Sequence, residues 1–374
     1  MRFHLGLLVI GSVALVACGG EDSGGIRRGP STSGETTPGA GDTSVTPGSA
    51  PGAGACPTGV PEAKALSTTD TNARNVRIVS SGVIFQDGTR VLKVDTQTNV
   101  RTSLYESPDL VSSFADETVL VTIESPNAPD AVLKVMPAGP TTGEKPALPL
   151  TATLANWNAG GTYVFASDAT SFYVLADVAN QGDTIYKVSK ADPNTMTELA
   201  SLNAPLGDPQ LAGNDIWFVR EQKRVYKVTQ TVEDPAGPGD VLGEKETTAE
   251  PATEIFGIGY ADCKLAVGGS HAFCSTGKSL EQRDLEGGNM TTVFDSQKGA
   301  APTLLGSAIY GTDTVFVRSL PATATDALKS GIRAVSGTTE KFVACGRDPI
   351  NSFAVGPTTV AWAEQGKGVF LAPR

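Results

Sequence analysis

The sequence contains very little histidine: its 374 residues include only His4 and His271. His4 lies in an N-terminal apolar leader, so the mature chain would keep His271 alone. A Ser-His-Asp triad needs a histidine, as do a Cys-His pair and a multi-histidine zinc site. No carboxylate stands beside His271 in the sequence to orient it as a general base, so we expect an exposed polar residue next to a hairpin turn. The sequence also lacks a P-loop and a G-x-S-x-G elbow, and we expect no catalytic and no metal-ligating residues.

Positive charge is scarce as well. There are 29 Lys and Arg residues against 40 Asp and Glu residues, which gives a formal net charge of −11. An acidic surface repels phosphate backbones, and no basic cluster overrides this locally, so no nucleic-acid partner is expected. Charged residues make up only 18% of the chain, whereas the 42 Gly and 24 Pro residues predict many turns.

The N-terminus carries the features of an export signal. The apolar run at 5–17 is too short to span a bilayer as a helix but has the length of a signal-peptide core. It ends in Leu15-Val16-Ala17-Cys18, which resembles the lipobox of bacterial lipoproteins. This resemblance implies a signal peptide at 1–17, cleavage before Cys18 and lipidation of Cys18, typically with palmitate-type chains. The membrane would then be a partner through the lipid anchor. Gly19 in place of an Asp favours the outer membrane of the cell envelope, and the alternative is a secreted protein with a coincidental cysteine.

Residues 18–55 differ sharply in composition from the rest of the chain. They are Gly, Ser, Thr, Pro and Ala with a few charges and almost no large apolar side chain. Such a segment cannot bury enough surface to offset the entropy of ordering, so we expect a disordered tether. Its root-mean-square span would be roughly 30–35 Å.

From residue 75 onwards, short runs rich in Val, Ile, Phe and Tyr recur in pairs, separated by turn residues. The average spacing of these pairs is about 46 residues, which is typical of β-propeller blades of four short strands. In each pair the first run is mostly apolar, as expected for an inner strand between blades. The second run alternates, and in four copies a lysine takes the outward register. The first runs begin at residues 83, 119, 172, 216, 271, 315 and 360, and the lysines are Lys93, Lys134, Lys187 and Lys227.

The segments Val91–Thr98 and Tyr226-Lys227-Val228 resemble repeats of bacterial propellers of the quinoprotein-like and NHL-like kind. The regular Trp and Gly of quinoprotein repeats do not recur, so the resemblance implies the fold but no cofactor. We therefore predict an all-β protein in which residues 56–374 form a single β-propeller of about seven blades. The last repeat has room for three strands, and residues 56–69 would supply the fourth and close the ring. A pair of β-sandwiches is the alternative.

Four cysteines remain after Cys18, an even number in an exported chain. If Gly268-Gly269 forms a two-residue hairpin turn, Cys263 and Cys274 lie directly opposite each other within disulfide range. By elimination Cys56 would pair with Cys345. A zinc site made by the four cysteines is not favoured, because paired C-x-x-C spacing is absent.

Two further sets of residues allow a structural and a functional interpretation. An aspartate precedes several first runs, and the set could be a cation-binding ring of carboxylates or, more simply, a series of Asx turns. The tryptophans could form an aromatic platform but are more simply core residues. The aspartates are Asp116, Asp168, Asp215 and Asp313, and the tryptophans are Trp157, Trp217 and Trp362.

These observations predict a non-enzymatic, lipid-anchored propeller that binds or scaffolds a protein or polymer in the envelope. The acidic insertion at 231–253 would be a solvated loop or a partner-binding arm. The alternative is a hydrolase or lyase that acts on a glycan or lactone with carboxylates in the central mouth, because fold alone excludes no chemistry.

Overall fold

The computed structural model describes residues 56–127, 130–139, 149–201, 206–220, 224–232, 247–249, 253–257, 264–275, 279–286, 288–295, 303–309, 314–320, 331–337, 339–347 and 349–374. Its elements are strands, and they form seven small antiparallel sheets. The sheets are arranged as a seven-bladed β-propeller, which confirms the predicted fold and not the sandwich alternative.

We name the strands of each blade A to D from the ring axis outwards. Blade 1 is β2 (Ala73–Val79), β3 (Gly82–Asp87), β4 (Arg90–Val94) and β5 (Arg101–Glu106). Blade 2 is β6 (Leu110–Ala115), β7 (Val119–Asn127), β8 (Asp130–Pro137) and β9 (Leu150–Leu154). Blade 3 is β10 (Trp157–Ser167), β11 (Ser171–Val178), β12 (Gly182–Ser189) and β13 (Met196–Ser201).

Blade 4 is β14 (Leu206–Ala212), β15 (Asp215–Arg220) and β16 (Arg224–Val232), with β17 (Thr247–Ala249) and β18 (Thr253–Gly257) both paired to β16. Blade 5 is β19 (Lys264–Gly268), β20 (His271–Ser275), β21 (Ser279–Asp284) and β22 (Thr291–Asp295). Blade 6 is β23 (Thr303–Ile309), β24 (Val315–Leu320), β25 (Gly331–Ser336) and β26 (Thr339–Cys345). Blade 7 is β27 (Ile350–Val355), β28 (Thr359–Glu364), β29 (Gly368–Pro373) and β1 (Lys64–Ser67).

The first apolar run of each repeat is strand B, which lies second from the axis. It is an inner strand packed between neighbouring blades, as predicted, and a further strand A precedes each run and touches the A strands of neighbouring blades. Strand A was missed because it carries bulges that break the period-2 pattern, as between Arg74 and Arg77 and between Asn158 and Tyr163. The weaker third strand expected after the second run is strand D.

The hydrophobic core is divided among the junctions between blades. Alternate residues of one strand point to opposite faces of a sheet, so each blade packs on both neighbours at once. In blade 3, for example, Phe172 and Val174 pack against blade 2, whereas Tyr173 and Leu175 pack against blade 4. Because strand B is covered on both faces, its sequence is a continuous apolar run.

The ring closes through blade 7, as the sequence predicted. Strand β1 pairs antiparallel with β29, with Ala65 opposite Phe370. Gly368 makes this approach possible: its φ is 115°, and a Cβ there would collide with the Ser67 carbonyl oxygen. The N-terminal strand therefore covers the outer edge of the last three strands of the chain.

A disulfide joins Cys56 to Cys345, with a Cα–Cα distance of 6.0 Å. Cys345 ends strand D of blade 6, and Cys56 lies just before β1 of blade 7. The bond therefore links the segment that enters the ring to the blade beside the closing strand.

The hairpin of blade 5 differs from the predicted register. Its turn is Gly269-Ser270 and not Gly268-Gly269, and Cys274 lies opposite Leu265. Gly269 has a φ of 58°, and a Gly at the first turn position suits a type II′ hairpin. Cys274 is disulfide-bonded, whereas Cys263 lies outside the described residues.

We predict that the double variant Cys56→Ser/Cys345→Ser lowers the free energy of unfolding by about 2–5 kcal/mol, because the unfolded chain loses a long covalent loop. Urea unfolding under non-reducing conditions measures the change. Thr58→Ala is the control: it replaces an exposed residue two positions from Cys56 and should have little effect on the free energy of unfolding. Equal stability of the double variant and the wild type would show that the disulfide does not stabilise the closed ring.

Candidate functional site

The antiparallel order gives the ring two distinct ends. In every blade, strands A and C end and strands B and D begin at one end of the ring, which we call the AB end, and the opposite ends of the strands lie at the other. A cleft of about 560 Å³ opens at the AB end between blades 6 and 7. Its size falls in the range of small-molecule sites.

Strand register positions the wall that blade 6 contributes. Phe316, Ala334 and Lys341 lie side by side across β24, β25 and β26. Phe316 and Ala334 belong to the apolar cluster that packs blade 6 on blade 7. One step nearer the AB end, the pair Ser336 and Thr339 continues the same face, because side chains alternate with a period of two. Thr314 precedes Phe316 by two residues and also lines the cleft.

Blade 7 supplies the opposite wall through Pro357, Thr358 and Arg374. The backbone N–H of Arg374 donates to the Thr358 carbonyl at 2.9 Å, which ties the end of the last strand to the A–B loop. The Arg374 guanidinium lies 5.4 Å from the centre of the Phe316 ring. The described lining therefore has an apolar floor, four hydroxyls and two cations, without a carboxylate side chain.

A second polar cluster at the AB end joins blades 2, 3 and 4. Lys190 donates to the carboxylate of Asp116 at 2.6 Å, across the junction of blades 2 and 3. Burial alone would raise the pKa of Asp116, but hydrogen bonds from Lys190 and Ser167 outweigh it and hold this pKa below the usual range. Asp116 thus accepts hydrogen bonds from both Lys190 and Ser167, and this arrangement indicates a structural role.

The same cluster continues into blade 4. The Tyr173 hydroxyl donates to Asp168 at 2.7 Å and accepts from the amide of Gln230 at 3.2 Å. Burial and the neighbouring Asp168 raise the pKa of Tyr173. Tyr173 therefore stays neutral at physiological pH and acts as a hydrogen-bond bridge between blades.

Another buried carboxylate lies between blades 1 and 2. Glu124 accepts from Lys134 at 2.8 Å and from the Tyr105 hydroxyl. Burial and the hydrogen bond to Glu124 raise the pKa of Tyr105. Burial would lower the pKa of Lys134, but its contacts with Glu124 and Tyr105 outweigh this effect and raise the pKa. The buried Glu124 carboxylate is therefore paired with the Lys134 ammonium, and a charge removed from water needs such a partner.

Blade 7 contains a comparable group. Glu364 has no exposed surface and accepts from the Trp362 indole at 2.8 Å, with Lys367 at 3.1 Å and Arg347 at 3.3 Å. In the described part of the chain, every aspartate or glutamate with a shifted pKa is shifted downwards. Lowered pKa values suit permanently ionised carboxylates, whereas a general acid needs a raised one.

The three described members of the predicted aspartate set each have local partners. Asp116 and Asp168 make Asx turns, each accepting from two backbone N–H groups, so the structural interpretation holds for both. Asp215 begins β15 and pairs with Lys227 at 3.3 Å. Asp313 lies outside the described residues. Among the described residues, no group of three His, Cys, Asp or Glu side chains could hold a metal ion.

The three tryptophans are buried, with exposed fractions of 6% for Trp157, 1% for Trp217 and 0% for Trp362, so the core interpretation is confirmed. His271 is partly buried beside its hairpin turn, where Ser270 Oγ lies 3.0 Å from its Nδ1. Cys18, with all of 1–55, lies outside the described residues. No helix in the described ranges combines the length and apolarity needed to cross a bilayer.

Sequence reasoning did not single out Lys341 or Arg374. Lys341 belongs to a weak outer strand, and Arg374 follows the last strand, so neither occupies a recurring motif position. Their proximity depends on how blade 6 meets blade 7. Only the alternation of Thr339, Lys341 and Val343 along β26 could have indicated a common face.

The fold defines the class of this chain: it is a seven-bladed β-propeller closed by its N-terminal strand. No family model and no curated protein matches the sequence. Solved structures resemble it over most of its length. BamB from Moraxella catarrhalis is 10% identical, with 80% of this chain and 81% of that chain covered and a TM-score of 0.45.

Two other solved structures are similar to the same degree. Hsv2 from Kluyveromyces lactis is 10% identical, with 78% and 89% covered and a TM-score of 0.49. The β-propeller domain of the Trilobed protease from Pyrococcus furiosus is 12% identical, with 74% and 86% covered and a TM-score of 0.46. At these identities and TM-scores, no partner or substrate is transferred to this chain.

We predict that Asp116→Asn lowers the free energy of unfolding at pH 7 by about 1–3 kcal/mol, because Lys190 loses its charged partner. The pKa of Asp116 is lower in the folded state than its ordinary 3.8. Its contribution is therefore complete above about pH 4 and disappears as the pH falls through the folded-state pKa.

Urea titrations of wild type and variant at pH 7 and pH 3 measure this difference. The difference in the free energy of unfolding between wild type and Asp116→Asn should be smaller at pH 3 than at pH 7. Glu106→Gln, which removes an exposed carboxylate at the end of β5, is the charge-matched control and should change stability little. An equal gap at both pH values would contradict the assignment of the charge to the folded-state pair.

Proposed function

We propose that this chain is a lipid-anchored β-propeller of the bacterial cell envelope that acts as a binding or scaffold module for a protein or polymer partner. One observation carries the proposal: the Cys56–Cys345 disulfide lies where the chain enters the ring. Disulfides persist in oxidising compartments such as the periplasm and the cell surface. The location agrees with the lipobox-like Leu15-Val16-Ala17-Cys18 at the N-terminus.

The disulfide also suits a tethered protein mechanically. Residues 18–55 would connect the lipid to Cys56, and the bond to Cys345 passes a pull on that tether into blade 6 as well as β1. Without the disulfide, the four-residue strand β1 would be the first described element of the ring to take that pull. The arrangement supports anchoring at the N-terminus without loss of the fold.

The polar interior supports a binding role over catalysis. Asp116, Glu124 and Glu364 each have a cationic partner at 3.3 Å or closer, and their geometry is explained by contacts between strands. The cleft between blades 6 and 7 instead offers hydrogen-bonding groups on an open surface. A hydrolase or lyase mechanism with carboxylates at the centre gains no support from the described residues.

Cys18→Ser tests the anchor. In bacterial cells that express the full chain, the wild type should fractionate with membranes, and its intact mass should show cleavage before Cys18 together with acyl chains. The variant should lose both properties, because a thioether-linked lipid needs the cysteine thiol. Ser23→Ala, in the same tether, is the control and should stay in the membrane fraction.

Cross-linking in intact cells then tests the binding role. A specific envelope protein or polymer joined to the wild type, and reduced in amount when excess unlabelled chain competes, is the expected result. A wild-type chain that is soluble and not acylated would refute the anchoring part of the proposal. A membrane-bound chain without a competed cross-link would refute the binding part.

A further inference from the structure

The cleft between blades 6 and 7 differs from the other polar sites of the described chain in its pairing. Lys134, Lys190 and Lys227 each meet a carboxylate, at 2.8, 2.6 and 3.3 Å. Lys341 is exposed and forms no ion pair with a described residue. Lys64 and Lys93 also form no described ion pair and donate to oxygens of Thr96 and Ser81 instead. The cleft is therefore distinguished by two cationic residues in a described lining without a carboxylate side chain.

The second cation of the cleft is held in place by the fold. Arg374 donates through its side chain to the Pro357 carbonyl at 3.5 Å and lies over the Phe316 ring. Arg374 and Lys341 both belong to the cleft lining. Asp313, which precedes Thr314 in the sequence, lies outside the described residues.

The hydroxyls complete the pattern. Thr314, Ser336, Thr339 and Thr358 line the AB end of the cleft, and each can donate and accept. Pro357 adds an exposed apolar area beside them, above the buried Phe316 and Ala334. Hydroxyls, cations and a small apolar area are complementary to a molecule that carries many hydroxyls, C–H faces and a negative charge.

We propose that this cleft binds an anionic saccharide unit. Lys341 and Arg374 meet its carboxylate or phosphate, and the threonine and serine hydroxyls meet its ring hydroxyls. Charge-assisted hydrogen bonds of this kind are about twice as strong as neutral ones, so the charged group determines which saccharides bind. The inference rests on the proposed binding function, for which it names the chemical class of a polymer partner.

The purified full chain is titrated by calorimetry at low ionic strength with three probes: trigalacturonate, glucose 6-phosphate and maltotriose. Trigalacturonate carries carboxylates, glucose 6-phosphate carries a phosphate, and maltotriose is neutral. The expected dissociation constant for at least one charged probe is about 1 mM or lower, and that for maltotriose is at least tenfold higher. The ratio between the two charged probes shows which oxyanion the site prefers, and affinity should fall as salt is added.

Lys341→Gln should weaken binding of the charged probe about tenfold and leave maltotriose unaffected, because one charged contact is lost. Lys341→Arg should restore most of the affinity. Lys93→Gln, which removes the same charge from blade 1, is the matched control and should bind as the wild type does. Circular dichroism and thermal unfolding of each variant establish that the ring is intact.

Equal binding of maltotriose and the charged probes, or no binding of any probe by the folded wild type, would overturn the proposal. Binding that is unchanged by Lys341→Gln but lost in Lys93→Gln would also overturn it, because the site would then lie elsewhere. These outcomes are independent of anchoring. A chain that binds trigalacturonate but is soluble in cells refutes only the anchor, whereas a membrane-bound chain that binds no probe refutes only the cleft.

Discussion

Burial between neighbouring blades is the interaction on which the rest of this structure depends. Each blade is a four- or five-stranded sheet with two apolar faces, and neither face is covered within the blade itself. The seven junction clusters cover these faces, so every blade stabilises the next. An open ring would leave two faces in water. Pairing of β1 with β29 and the Cys56–Cys345 bond therefore protect the whole core and not blade 7 alone.

Closure also explains where the buried charges are found. A blade that packs on both faces can still admit a carboxylate if the neighbouring strand or blade supplies a cation. Glu124 and Asp116 follow this rule, with Lys134 and Lys190 as their partners, whereas Glu364 is paired with Lys367 of its own hairpin turn. Such pairs add little net stability when compared with apolar packing, but loss of one partner leaves a desolvated charge. They therefore favour one register between neighbouring strands and blades over others.

The repeat pattern of the sequence predicted the fold well because its signals are local. Runs such as Phe172-Tyr173-Val174-Leu175 are apolar because strand B is covered on both faces, and turn residues follow at regular distances. The fourth strand of blade 7 was also foreseen, since the last repeat had room for only three. The blade 5 hairpin was placed one residue out of register because Gly268-Gly269 and Gly269-Ser270 are both acceptable turns. Strand A was missed where bulges interrupt its alternation, as at Asn158.

The amino-acid sequence by itself determined the number of blades, the place of the closing strand and the scarcity of histidine, because strand periodicity, turn residues and composition are properties of neighbouring residues. Only the tertiary structure decided that Lys190 reaches Asp116 and that Lys341 shares a cleft with Arg374. Residues so far apart in the chain meet because the register within each sheet and the packing of one blade on the next place them at the same end of the ring. No local pattern encodes that meeting, since it depends on the twist and closure of all seven sheets together.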